Sequence, residues 1–158
     1  MKLAGAALII FSGIMMGVNS VNKYKYQVTI LKEIYSLLLN IKANMEFSAL
    51  SLEELIFLSK GRFSQSVSEK IRLGQSPPMA WKESSVENFT NENDRYLLNT
   101  FIDDFGKVDI LGQSEKIDMY LQSFSKRISE SEEVYKNKSK TTFAAFFFSG
   151  AVLAIFLV

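Results

Sequence analysis

Two stretches without a charged residue set the first constraint on this chain. They are Leu3–Val18, "LAGAALIIFSGIMMGV", and Thr141–Val158, "TTFAAFFFSGAVLAIFLV". As helices, at about 1.5 Å per residue, each covers most of a bilayer core about 30 Å thick, the first by extending through Val21. A buried helix of a soluble protein is the plain alternative, but neither stretch has a polar face to turn to water. In hydrocarbon the backbone N–H and C=O groups must be paired within the segment, which makes each segment a helix. The expectation is two transmembrane helices, 3–21 and 141–158.

The first stretch could also be a cleavable leader, with Lys2 before it and Val18-Asn19-Ser20 at the cut. The charge pattern argues otherwise. Lys23, Lys25 and Lys32 follow it, and Lys126, Arg127, Lys136, Lys138 and Lys140 precede the second stretch. Basic flanks stay on the cytoplasmic side. Both flanks face the middle of the chain, so the middle is expected in the cytoplasm and both ends across the membrane. Gly13…Gly17 and Gly150…Ala154 are small-residue pairs four apart, which let helix backbones approach in lipid.

Composition removes several chemistries. The chain of 158 residues has no Cys and no His. Thiol nucleophiles, disulfides, Cys/His zinc sites, Ser-His-Asp triads and histidine proton shuttles are therefore excluded. Lys and Arg number 18 against 17 Asp and Glu, so the middle is neutral and nucleic acid is not an expected partner. No phosphate-cradling glycine loop and no nucleophile elbow occurs. Asp103, Asp104 and Asp109 do not follow calcium-loop spacing and read as a solvated helix end. The expectation is a non-enzymatic protein with no cofactor, metal or small-molecule substrate.

Between the apolar stretches the pattern is helical, with no alternating strand signal. Val28, Leu31, Ile34, Tyr35, Leu38, Ile41 and Met45 form a stripe over 27–47. Ser51-Leu-Glu-Glu54 is a capping box for a helix over 52–60, with Gly61 as its stop. Ser66-Val-Ser-Glu69 repeats the box for a third helix ending near Gly74. Ser76-Pro77 starts a fourth, carrying Met79, Trp81 and Val86. A fifth runs over 91–105 on Leu97, Leu98, Phe101, Ile102 and Phe105. A sixth carries Ile117, Tyr120, Leu121, Phe124, Ile128 and Tyr135, and can run unbroken into the second span. On its surface, Glu130, Glu132 and Glu133 with Lys136, Lys138 and Lys140 read as pairs one turn apart. The fold class expected is all-α: a cytoplasmic antiparallel bundle of about six helices over 25–138, flanked by the two spans.

"FGKVDILGQ", Phe105–Gln113, interrupts the helical pattern. Gly106 is suited to the left-handed conformation that ends a helix, and Asp109 to capping the next. Gly112 falls in the first turn of that helix, and Gln113 one turn after Asp109. The plain reading is a structural corner; the functional one is a docking point for a partner. Trp81 reads as a core anchor, with an interface hot spot as the alternative.

These features resemble the stage III sporulation protein AB family over nearly the whole chain. The specific part is Gly106-Lys-Val-Asp109-Ile-Leu-Gly-Gln113, which matches the family's Gly-x-x-Asp-x-x-x-Gln. Gly74…Ala80-Trp81 and, more loosely, Leu31–Leu55 with Met45-Glu46-Phe47 and Ser51-Leu52 also match. Phe105 stands where the family more often has leucine, and Asn44 near a usual acidic position. The corner is also similar to the glycine-centred motif of F-type platform proteins of type II secretion and type IV pili. The resemblance implies a sporulation protein made in the mother cell, held in the membrane around the forespore. It implies a part in a secretion-like channel complex, coupling a cytoplasmic ATPase to other membrane components. The alternative is a platform of a pilus or secretion machine unrelated to sporulation.

Overall fold

The described residues form six helices and contain no strand. The structure, a computed structural model, describes residues 2–47, 50–107 and 109–157. The helices are α1 (Lys2–Phe47), α2 (Leu52–Leu58), α3 (Arg62–Arg72), α4 (Pro77–Asn88), α5 (Glu92–Asp104) and α6 (Ile110–Leu157). Packing divides the chain into two units, one of 29–128 and one of Met1–Val28 with Ser129–Val158.

The second apolar stretch continues α6 as expected. The first continues α1 in the same way, because neither Gly nor Pro falls between Val18 and Phe47 to stop it. Among the described residues the terminal stretches are the ends of the first and last of the six helices rather than separate flanking ones. Among the described residues no helix is long and apolar enough to cross a membrane. More than half of the side chains in 3–21 and 141–158, including Gly13 and Gly150 of the small-residue pairs, lie outside the described ones.

In unit 29–128, α1 buries Leu31, Ile34, Leu38 and Ile41 of its expected stripe, and also Ile30 and Leu37. Tyr35 and Met45 are only half-buried. The covered arc is wider than one stripe because α1 has neighbours on more than one side. Lys42 reaches both carboxylate oxygens of Asp118 on α6 at 2.6 Å. Glu33 meets the start of α3, where its Oε2 accepts from the Arg62 N–H at 2.9 Å.

Helix ends show where local reading holds. The Ser51 capping box is present in both directions: Ser51 Oγ accepts from the Glu54 N–H, and Glu54 Oε2 from the Ser51 N–H. Those bonds, the backbone one first, hold the Glu54 carboxyl below its ordinary value. α3 ends on Gly74 at φ +94, with Gln75 N–H bonded to Lys70 C=O and Gly74 N–H to Ile71 C=O, a Schellman motif. Asn91 caps α5 with its side chain accepting from the N–H groups of Asn93 and Asp94.

Three expectations at helix ends are corrected. Gly61 does not stop α2, which ends at Leu58 with Ser59 as its cap. Gly61 instead precedes α3 with extended backbone at φ −172, and a Cβ there would stand 3.1 Å from Glu33 Oε2. Ser66 lies inside α3 rather than at its start, and its Oγ bonds the Ser84 hydroxyl and Glu87. The α3 start is capped by a side chain 29 residues away, so no local box is needed there. Ser76 and Pro77 stand at the cap and first position of α4, but the Ser76 side chain makes no capping bond. Pro78, at the second position, has no N–H to give it.

An aromatic cluster fills the space between α3, α4 and α5. Phe63 meets Trp81 edge-on at 4.8 Å and Phe89 at 6.1 Å, and Trp81 meets Phe101 at 5.5 Å. Phe63, Trp81, Phe89 and Phe101 are all buried, whereas Met79 and Val86 on α4 are exposed.

Candidate functional site

The corner between α5 and α6 is closed by its own residues. α5 stops at Asp104. Phe105 follows at φ −62 and ψ 129, and Gly106 at φ +79. Lys107 N–H returns to Asp104 C=O at 3.3 Å. These are the dihedrals and the bond of a type II turn with glycine at its third position, where a positive φ is required. The expected left-handed glycine is thus present, but in a turn just beyond the helix rather than in a cap bonded back to it.

Asp109 then caps α6. Its Oδ1 accepts from the Gly112 N–H at 3.2 Å, and its C=O from the Gln113 N–H at 2.8 Å. Gln113 completes the corner from the other side. Its side chain is buried, and its Oε1 accepts from the Gly106 N–H at 2.9 Å. The turn's own hydrogen bond does not use that N–H, so Gln113 supplies the partner it lacks. Gly106, Asp109, Gly112 and Gln113 are therefore brought together in one backbone-locking arrangement. Val108, between them, lies outside the described residues.

Side chains from three helices surround this corner. Phe105 tilts onto Phe101 at 5.7 Å, and Tyr120 of α6 meets Phe101 edge-on at 5.3 Å. The Tyr120 hydroxyl donates to Asp104 Oδ2 at 3.0 Å. Burial first, then that bond, pushes the Tyr120 phenol well above its ordinary value. Asp104 also faces Lys116 at 3.8 Å and Lys107 at 4.0 Å, and Asp103 pairs with Lys82 of α4 at 2.6 Å. The three aspartates are thus spent on a tyrosine, lysines and a cap. Among the described residues no group of acidic side chains is arranged to hold a metal ion.

Trp81 is not at the corner's surface. It is fully buried, and its Nε1–H donates to Leu98 C=O at 3.1 Å, tying α4 to α5. That is the anchor arrangement, and it leaves no indole face for a partner. What the corner presents outward is Gly106, Lys107 and Asp109, all exposed.

Two features escape the sequence. Asp94, in "NENDR", has the look of a solvated first-turn acid but is fully buried, and its Oδ1 accepts from Arg127 Nε at 2.6 Å. Only the paired basic residue 33 positions later could have signalled it, and Arg127 reads as one more membrane-flanking charge. The second is a groove of about 330 Å³ between α1 and the α2–α3 connection, bordered by Lys32, Glu33, Asn40, Lys60 and Ser64. Its carboxylate, Glu33, is the one that caps Arg62.

A family model described as Stage III sporulation protein AB matches residues 2–158. No curated protein and no solved structure matches the chain. The matched span takes in both helix ends of the corner and the Trp81 anchor, and the chain belongs to the stage III sporulation protein AB family.

Proposed function

We propose that this chain is a non-enzymatic membrane platform of a secretion-like channel complex between mother cell and forespore. Its two spans are 3–21 and 141–158. The intervening domain lies in the mother-cell cytoplasm, where it couples a secretion-type ATPase to other membrane components of the complex. The observation that carries this reading is the family match across 2–158. Three further points support it. The uncharged stretches end at basic flanks that both face the middle of the chain. A chain without His or Cys lacks the commonest catalytic groups. The corner of residues 106–113 is held rigid by its own hydrogen bonds and leaves Gly106, Lys107 and Asp109 outward, a small preformed surface for a partner. No observation favours the alternative of a pilus-type machine outside sporulation.

Full-length protein, tagged at its N-terminus and extracted in mild detergent during sporulation, should retain a secretion-type ATPase. Substitution of Lys107 and Asp109 by residues of opposite charge should weaken that retention. Loss of the gene with no effect on forespore development would refute the reading. Reporter fusions at residue 90 and at Val158 test the topology, and alkaline phosphatase activity from the fusion at 90 would overturn it.

A further inference from the structure

The groove of about 330 Å³ between α1 and the α2–α3 connection has a buried floor and a wall held in place. Leu37 and Ser64 of its lining are buried and make the floor. The wall at Gly61 is pinned to α1, because Glu33 Oε2 accepts from the Arg62 N–H at 2.9 Å. A Cβ at Gly61 would stand 3.1 Å from that same oxygen, so glycine lets the wall come this close. Ser36 and Asn40 on α1, and Lys60 on the opposite wall, are exposed. Among the described residues nothing bonds the side chains of these three. We infer that the groove binds an extended acidic segment of a partner protein.

Shape favours a peptide over a small molecule. Small-molecule sites are enclosed and mostly apolar. This groove is open along one side, and Leu37 is the single aliphatic side chain among the described residues that line it. Along α1 it runs from Thr29 to Asn40, about 16 Å, the length of about five extended residues. Ser36 and Asn40 stand one turn apart, about 6 Å, close to the roughly 6.6 Å between alternate residues of an extended chain. The Asn40 amide both donates and accepts, which matches the C=O and N–H along the edge of such a chain. The Ser36 hydroxyl has the same double capacity one turn earlier.

Charge decides what the peptide carries. The lining has two lysines, Lys32 and Lys60, against one carboxylate. That carboxylate, Glu33, is turned to the positive N-terminal end of α3 and held there by Arg62 N–H. Lys32 is already engaged. Lys60 is left for the ligand, and the group that answers an ammonium is a carboxylate. All the lining residues belong to unit 29–128, so the inference stands apart from the membrane reading.

The test is an array of immobilised octapeptides of random sequence, probed with the tagged full-length chain in a neutral detergent. The parent should retain peptides with an aspartate or glutamate near the centre. Changing that acid to its amide should weaken retention about tenfold. Lys60→Glu should reverse the preference towards lysine and arginine, and the milder Lys60→Gln should abolish it. Asn40→Ala should weaken all retained peptides alike, because its partner is backbone. Both positions are exposed, and Trp81 fluorescence during thermal unfolding checks that each variant remains folded. Retention without preference for acids, or a preference that either Lys60 variant leaves unaltered, overturns the inference. Complete displacement of the peptides by millimolar succinate also overturns it, since the groove would then be a small-anion site.

Discussion

Gln113 separates a structural corner from a docking side chain, and the structure fixes what its loss should do. The residue is 3 % exposed, and its Oε1 holds the Gly106 N–H at 2.9 Å. Gln113→Ala removes that acceptor, worth about 1 kcal/mol net, and a buried methylene worth about 0.8 kcal/mol. The expected loss is about 2 kcal/mol. In a unit of roughly 100 residues each kcal/mol shifts the melting temperature by about 4–8 °C, so a fall on the order of 10 °C should follow. Gln113→Leu keeps the apolar volume and deletes only the acceptor. Loss of that bond should cost about 1 kcal/mol. Gln113→Glu retains an acceptor but buries a carboxylate near Asp104 and Asp109. It should destabilise at neutral pH and recover as the pH falls through the carboxylate range. Trp81 is the only tryptophan and is fully buried in the same unit, so its fluorescence during urea or thermal unfolding reports on this unit directly. Should Gln113→Ala and Gln113→Leu both unfold with the parent, the side chain does not hold the corner and this reasoning is wrong.

Other consequences are as direct. Gly106→Ala meets no atom within 4 Å of the new Cβ, so its cost is conformational, about 1 kcal/mol; Gly106→Asn should lose less, and equal stability of all three would contradict the turn geometry. Arg127→Met leaves the buried Asp94 carboxylate without its guanidinium and should cost about 3 kcal/mol, while Asp94→Leu with Arg127→Met should cost less than the single change; strict additivity in that cycle would refute the coupling. Tyr120 has its phenol pKa raised on folding, so its protonated form contributes stability that is complete below the unfolded value near 10 and is lost as pH rises beyond it. Tyr120→Phe should then flatten the decline of stability above pH about 10, and an unchanged alkaline limb would argue against the Asp104 bond.

Signals that act within one helical turn were legible without a fold. The Ser51 box, the helix end near Gly74, the left-handed Gly106 and the Asp109 cap each join groups at most five residues apart. Their geometry is set by the backbone around them, so residue type and spacing suffice. The helical class follows for the same reason, since periodic apolar residues and the lack of strand alternation are local properties. The match to the family motif was likewise readable, because it is a spacing.

What the sequence could not decide lies where a partner comes from elsewhere in the chain. α3 begins at Arg62 because Glu33, 29 residues earlier, accepts its N–H, and the local box at Ser66 is overridden. Asp94 is buried because Arg127 meets it across the unit. A carboxylate looks solvated in sequence whether or not a guanidinium will be folded onto it, since burial of a charge is decided by its distant partner. Gln113 shows the boundary between the two cases. It stands seven residues from Gly106, yet its bond forms only because the turn at Phe105-Gly106 brings the start of α6 back against the end of α5. The sequence determined that a corner exists there, and tertiary structure decided which side chain locks it and which residues it leaves facing out.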